Sequence, residues 1–148
     1  MFRGNSFHTL DEKGRLIIPA RFRDIVRAQG GDNLIITRIE KGLMAYSIQG
    51  WNKIEERLLA LADSSEHMRR IRRYLVGGAC ECPCDKQGRV LIPQAQRDYA
   101  ELNKEIVLVG LLDHFEIWSR ENWDKSNEQM ELDLQKGAVH SEIAKLGL

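Results

Sequence analysis

Residues 11–24 read Asp-Glu-Lys-Gly-Arg-Leu-Ile-Ile-Pro-Ala-Arg-Phe-Arg-Asp, and residues 85–98 read Asp-Lys-Gln-Gly-Arg-Val-Leu-Ile-Pro-Gln-Ala-Gln-Arg-Asp. At this offset of 74, seven positions are identical: Asp11/Asp85, Gly14/Gly88, Arg15/Arg89, Ile18/Ile92, Pro19/Pro93, Arg23/Arg97 and Asp24/Asp98. After a two-residue deletion the match continues at an offset of 72. Leu34-Ile35-Ile36 then faces Ile106-Val107-Leu108, Tyr46 faces Trp118, Ser47 faces Ser119, Trp51 faces Trp123 and Lys53 faces Lys125. Self-similarity at a fixed spacing marks a duplicated structural unit. Each half repeats one plan: strand, glycine turn, strand, helix, strand, strand, helix.

The local chemistry of each copy explains that plan. Asp11 and Asp85 can accept hydrogen bonds from their own backbone further on, and Gly14 and Gly88 supply a positive φ without steric cost, so each turn closes a hairpin. A short aliphatic strand follows, and Pro19 and Pro93 stand where helices begin, since the missing N–H would be unpaired there anyway. A helix over 20–29 places Phe22, Ile25 and Val26 on one face, and Gly30-Gly31 ends it. Strands are expected at Leu34–Ile39 and Leu43–Ile48, then an amphipathic helix at Trp51–Leu61 that buries Ile54, Leu58 and Leu61. The second half predicts a helix at 94–101, strands near 104–111 and 114–118, and a helix from about 120. A linker helix from Ser65 to about Val76 joins the halves, and residues 137–148 read as a short helix suited to a contact between subunits. The expected division is residues 1–62 and 77–148 as the two repeats, with 63–76 between them. Tyr46, Trp51, Trp118 and Trp123 sit among aliphatics and read as core.

With 148 residues, such a chain can bury roughly 70% of the surface its unfolded form exposes, so a core needs neither metal nor disulfide. At 43% hydrophobic and 30% charged, the composition is that of a globular protein. No apolar run reaches the roughly 20 residues that span a bilayer, and Met1–Asn5 lacks the apolar core of a signal peptide. The expected location is the cytoplasm. The formal net charge is zero, but its distribution is uneven. Residues 1–74 hold 14 Lys/Arg against 9 Asp/Glu, and residues 75–148 hold 8 against 13. A basic face on a neutral molecule can attract an anion.

The Asp-x-x-Gly-Arg turns carry the clearest chemistry. Pairing of Asp11 with Arg15 would account for one copy as a plain hairpin, but a turn needs Asp and Gly and does not need Arg. Arginine offers a planar fork that bonds bidentately to guanine or phosphate, and a two-stranded ribbon fits the major groove of DNA. Arg15 and Arg89 are therefore candidate base readers, with Arg15 expected to matter more because Arg89 lies in the acidic half. Lys13 and Lys86, at non-equivalent turn positions, suit phosphate contacts. Arg3 belongs to the same basic N-terminal segment. The run Arg69, Arg70, Arg72, Arg73 reads as a solvated helix face or a subunit interface. Cys80, Cys82 and Cys84 alternate, so a strand would put them on one face. Their spacing is not that of a zinc site, and buried free thiols are common. The histidines form no i, i+4 metal pair, and phosphate-loop or nucleophile-elbow motifs are absent. No catalysis, metal or cofactor is expected.

These residues also carry a family resemblance. Phe2-Arg3-Gly4, Leu10-Asp11-x-Lys13-Gly14-Arg15-Leu16-x-x-Pro19, Asp85-x-x-Gly88-Arg89-x-x-Ile92-Pro93, Val107-x-Val109-Gly110 and Glu116-x-Trp118 resemble the MraZ family over nearly the whole chain. The resemblance implies an α+β fold in which two tandem AbrB-like swapped-hairpin β-barrel repeats form one pseudo-twofold unit with flanking helices. It further implies a homo-oligomeric ring that binds double-stranded promoter DNA at short G-containing direct repeats. On this basis the protein would be nucleoid-associated and would regulate, generally repress, the division and cell wall gene cluster including its own promoter. The DNA-reading role falls on the Asp11–Arg15 hairpin and its Asp85–Arg89 counterpart. The competing expectation is an antitoxin-like interaction module, since AbrB-type folds also hold toxins.

Overall fold

The structure is a computed structural model that describes residues 1–61 and 65–148. The expected repeat boundary at 62/63 lies outside the described residues. In the first half β1 (Asn5–Thr9), β2 (Arg15–Ile17), α1 (Ala20–Ala28), β3 (Leu34–Ile39), β4 (Gly42–Ser47) and α2 (Ile48–Ala60) follow one another. Then come α3 (Glu66–Leu75), β5 (Cys80–Cys82), β6 (Arg89–Leu91), α4 (Gln94–Tyr99), β7 (Glu105–Gly110), β8 (Phe115–Ser119), α5 (Arg120–Asp133) and α6 (Gly137–Ala144). The fold is α+β: its strands pair antiparallel throughout and its helices pack around them.

Six strands form one sheet in the order β1-β7-β8-β4-β3-β5, which interleaves the two halves of the chain. β1 pairs with β7 rather than with the strand that follows it. The turn after β1 still closes, through Gly14 N–H to the Asp11 carbonyl at 3.0 Å. β2 then crosses over to pair with β6 of the other half, with Arg15 opposite Leu91, Leu16 opposite Val90 and Ile17 opposite Arg89. Two further hydrogen bonds extend this small sheet symmetrically: Ile18 N–H to the Gly88 carbonyl (2.9 Å) and Ile92 N–H to the Gly14 carbonyl (3.0 Å).

The helix starts repeat as closely as the strands do. Pro19 and Pro93 precede α1 and α4 with φ of −56° in both cases. Ser47 caps α2 by accepting the Gly50 N–H, and Ser119 caps α5 by accepting the Asn122 N–H, each at 3.0 Å. A serine oxygen that pairs an orphan N–H at a helix start is a stabilising cap, so the Ser47/Ser119 identity has a structural cause.

One apolar core serves both halves. Leu16, Ile18, Val90 and Ile92 lie beneath the small sheet, joined by Leu34, Ile36, Leu43, Ile106, Leu108 and Ile117 of the large one. Phe2, Phe22 and Phe115 form an aromatic cluster with centroids 5.1–5.4 Å apart. The duplication is imperfect here, because the counterpart of Phe22 is Gln96. Buried Gln96 instead donates its Nε2–H to the carbonyls of Ile36 (2.7 Å) and Gly78 (3.1 Å), tying α4 to β3 and the segment after α3. Trp51, Trp118 and Tyr46 are buried as expected. The expected buried face of α2 is less buried than its pattern suggests: Ile54 and Leu58 are half-buried, Leu61 is exposed, and Trp51 is the helix's buried residue. No described helix is long and apolar enough to cross a membrane.

Candidate nucleic-acid interface

The two Asp-x-x-Gly-Arg turns adopt one geometry. Asp11 Oδ1 accepts the backbone N–H groups of Lys13 (2.9 Å) and Arg15 (2.8 Å), while Oδ2 accepts Arg15 Nε–H at 2.7 Å. In the second copy Asp85 Oδ1 accepts from Gln87 (2.9 Å) and Arg89 (2.8 Å), and Oδ2 accepts Arg89 Nε–H at 2.8 Å. Each aspartate therefore fixes the turn with one oxygen and aims an arginine with the other. The Arg15 and Arg89 backbone N–H bonds, reinforced by their guanidinium groups, hold Asp11 and Asp85 below the usual carboxylate range. Among the described residues no hydrogen bond occupies the terminal Nη atoms of either arginine, which leaves the bidentate edge of each fork available. The side chains of Arg15 and Arg89 are 31% and 32% exposed.

The pairing of β2 with β6 brings both arginines onto one surface. Successive strand side chains alternate between faces. Leu16 and Val90 point inward and are buried, so Arg15, Ile17, Arg89 and Leu91 share the outward face. Lys13 and Lys86 are exposed on the flanking turns. Lys13 matches Gln87 in the hydrogen-bond pattern, and Lys86 matches Glu12. Arg3 is not brought to this sheet. It lies beside Gly110 at the end of β7, and its carbonyl accepts Arg21 Nη1–H from α1 at 3.0 Å.

Behind the face lies a further pair of arginines, Arg23 and Arg97, identical between the repeats but not recognisable as site residues from their spacing. Arg23 donates its Nε–H to the Ile18 carbonyl and Arg97 to the Ile92 carbonyl, each at 2.9 Å. Each guanidinium also lies against the turn glycine of the opposite repeat, Arg23 at Gly88 and Arg97 at Gly14. Both glycines have positive φ, 85° at Gly14 and 80° at Gly88. The signal available in sequence was the Arg23/Arg97 identity itself, since a helix surface would not need it.

The remaining candidates have structural surroundings. Cys82 is buried in the core, with Cys80 and Cys84 packed against it from the side. Burial pushes the Cys82 thiol up to about 12 and raises Cys84 as well, so these groups stay protonated and unreactive at neutral pH. Among the described residues no group of three His, Cys, Asp or Glu side chains could hold a metal ion. Arg70 pairs with Glu66 at 2.7 Å on α3, and Arg69 and Arg73 line an open surface hollow with Arg72.

Comparison with known proteins now bears on this arrangement. A family model described as "MraZ protein, putative antitoxin-like" matches residues 1–73 and 75–140. The chain belongs to the MraZ family. It is 57% identical over 148 residues to the transcriptional regulator MraZ of Desulforapulum autotrophicum, with all of both chains covered. It is 48% identical over the full length of the counterpart from Desulfosudis oleivorans. It is also 48% identical over 124 residues to that of Leuconostoc mesenteroides, covering 83% of this chain and 84% of that one. The matched residues include both Asp-x-x-Gly-Arg turns, whose arginines stand on one small sheet and whose Asp and Gly residues border it.

Proposed function

We propose that this MraZ-family protein is a sequence-specific, DNA-binding transcriptional regulator and not an enzyme. It acts as a repressor of the division and cell wall gene cluster, including its own promoter, and reads short direct repeats in double-stranded DNA. The observation that carries the reading is the pairing of two geometrically identical Asp–Arg turns on one outward sheet face. Such a two-stranded ribbon is narrow enough for the major groove, and an arginine fork matches guanine O6 and N7. Arg15 and Arg89 are the base readers, aimed by Asp11 and Asp85 and shaped by Gly14 and Gly88. Lys13, Lys86 and Arg3 supply phosphate contacts, which position the protein without reading sequence.

The crossing of β2 to β6 supports an AbrB-like exchange of hairpins between residues 1–62 and 77–148, with 63–76 as connector. One small sheet offers little affinity. A ring of copies would present many, and linked sites that engage successive repeats gain from high effective concentration. Nucleoid association in the cytoplasm would follow from DNA binding. The antitoxin-like alternative draws on the likeness to AbrB-type folds that hold toxins and on the family description.

The test is fluorescence anisotropy on the DNA immediately upstream of the protein's own gene, at two salt concentrations, for wild type and Arg15→Ala. Selective binding that weakens steeply with salt and is lost in the variant at unchanged oligomer size supports the reading. Absence of selective binding by the intact oligomer rejects it, and recovery of a stoichiometric small toxin in a pull-down would put the interaction module in its place.

A further inference from the structure

The outward face of the β2–β6 sheet holds two large aliphatic side chains that no described residue covers. Ile17 is 56% exposed and Leu91 is 54% exposed, at matching positions of the two repeats. Scattered exposed aliphatics are ordinary. These two are not scattered: Ile17 stands directly opposite Arg89, and Leu91 directly opposite Arg15. Each end of the sheet therefore presents one arginine beside one aliphatic residue, and the two ends are related by the pseudo-twofold that passes between Leu16 and Val90.

A surface that only gripped phosphates would gain nothing from aliphatic groups between its cations. The groove floor differs, because thymine places a C5-methyl group there, next to the guanine atoms that arginine reads. The dimensions agree. Directly opposed residues lie about 4.5–5.5 Å apart, and residues two apart along a strand about 6.6–6.8 Å. The latter is close to two base-pair steps of about 3.4 Å each.

We propose that Ile17 and Leu91 are specificity residues that pack against thymine C5-methyl groups while Arg15 and Arg89 bond the neighbouring bases. The inference rests on the DNA-binding reading above and names the chemistry that the site selects: thymine adjacent to an arginine-read base, repeated about two steps away. The flanking arginines argue for DNA over a second copy of the chain as the occupant, since their free guanidinium edges suit an anionic partner.

The experiment compares promoter duplexes made with thymine against the same duplexes made with deoxyuridine, which removes the methyl group and keeps base pairing. Anisotropy is measured for wild type, Ile17→Ser, Leu91→Ser and the conservative Ile17→Val, with oligomer size checked by sedimentation. Wild type is expected to bind the deoxyuridine duplex about four- to fifteenfold more weakly, in line with losing one buried methyl contact or two. Ile17→Ser should lose a similar factor on the thymine duplex and respond less to the replacement, while Ile17→Val keeps most of the discrimination. Tight, selective wild-type binding that ignores the methyl group would overturn the proposal and leave the DNA reading intact. So would serine variants that still discriminate as wild type does. A change in oligomer size with methyl-insensitive binding would assign the pair to contact between copies. Failure of wild type to bind either duplex selectively would reject the DNA reading itself.

Discussion

The guanidinium of Arg97 lies so close over Gly14 that a methyl group built on that glycine would sit 2.4 Å from Arg97 Cζ. Arg23 stands over Gly88 in the same way, at 2.8 Å. Each arginine spans from its own repeat, where it bonds a carbonyl at the end of the exchanged strand, to the turn of the other repeat. The turns that aim Arg15 and Arg89 are thus held from behind by groups 74 positions from their own counterparts. Gly14→Ala would meet both a left-handed φ of 85° and this contact. Since a strained backbone residue costs about 1–3 kcal/mol, and Arg97 must shift besides, Gly14→Ala should destabilise the protein by about 2 kcal/mol or more in urea denaturation. Gly88→Ala should behave alike.

The same relationship makes Arg97 a positioning residue for Arg15, the proposed reader that it does not neighbour in sequence. Arg97→Ala should leave Arg15 chemically intact but loosen the turn that presents it. Hydrogen exchange is expected to quicken at the amides of residues 13–15 in Arg97→Ala and at residues 87–89 in Arg23→Ala. A loss confined to the variant's own repeat would contradict the cross-repeat role.

The turns should also keep their geometry over a wide pH range. Their arginine N–H groups hold Asp11 and Asp85 below the ordinary aspartate range. A depressed carboxylate contributes stability that is present above its unfolded pKa and is lost as pH falls through its folded value. The aspartate–arginine contacts should therefore persist from pH 5 to 8 and fail only below about pH 4. Carboxyl titration by NMR should place both midpoints below the ordinary aspartate value. Midpoints at or above it would show that the bonds to the arginine N–H groups are not held in solution.

Much of this was legible in the sequence because duplication reports on itself. Asp, Gly and Pro at fixed offsets specified the turns and the starts of α1 and α4. The Ser47/Ser119 identity was visible, but its capping role was not, since the pattern carries the strand on to Ile48 and begins the helix at Trp51. The exchange of β2 and β6 was not legible from local pattern. A strand of three residues, one of them buried, carries an inside and an outside but no label for its partner. Local periodicity likewise overstated the buried face of α2, since a pattern of apolar positions fixes which side faces inward but not how deeply it is covered: Ile54 and Leu58 are half-buried and Leu61 is exposed. The candidate site could be named from the repeated Arg15 and Arg89 alone. Arg23 and Arg97 needed coordinates, since their contacts cross the repeats.

Cys82 separates packing from function. Its thiol is buried among aliphatics, with only a weak contact from Sγ to the Cys80 carbonyl at 3.6 Å. A serine there would bury a hydroxyl with little to bond, at a cost of about 1–3 kcal/mol. Cys82→Ser should lower thermal stability accordingly and leave DNA affinity unchanged below the melting transition. A loss of affinity at full foldedness would give the cysteines a role that their surroundings do not suggest.

The relative weight of the two arginines is the sharpest test of how far charge alone can be trusted. The half-chain balance favours Arg15, since residues 75–148 are the acidic half. The local geometry does not. Ion-pair lengths of 2.7 and 2.8 Å and nearly equal exposure make the two forks equivalent. The second turn, moreover, carries Lys86 where the first carries Glu12, so its immediate field is the more positive of the two. Charges beyond a Debye length of about 8–10 Å are largely screened, and the turn's own residues should outweigh the distant acidic helices. Arg15→Ala and Arg89→Ala should therefore weaken promoter binding by similar factors, each about tenfold or more per protomer contact. Anisotropy titrations over a salt series decide the matter. Similar losses would assign recognition to the paired sheet as a unit, whereas a loss confined to Arg15→Ala would mean that DNA engages only the first repeat's edge of that sheet.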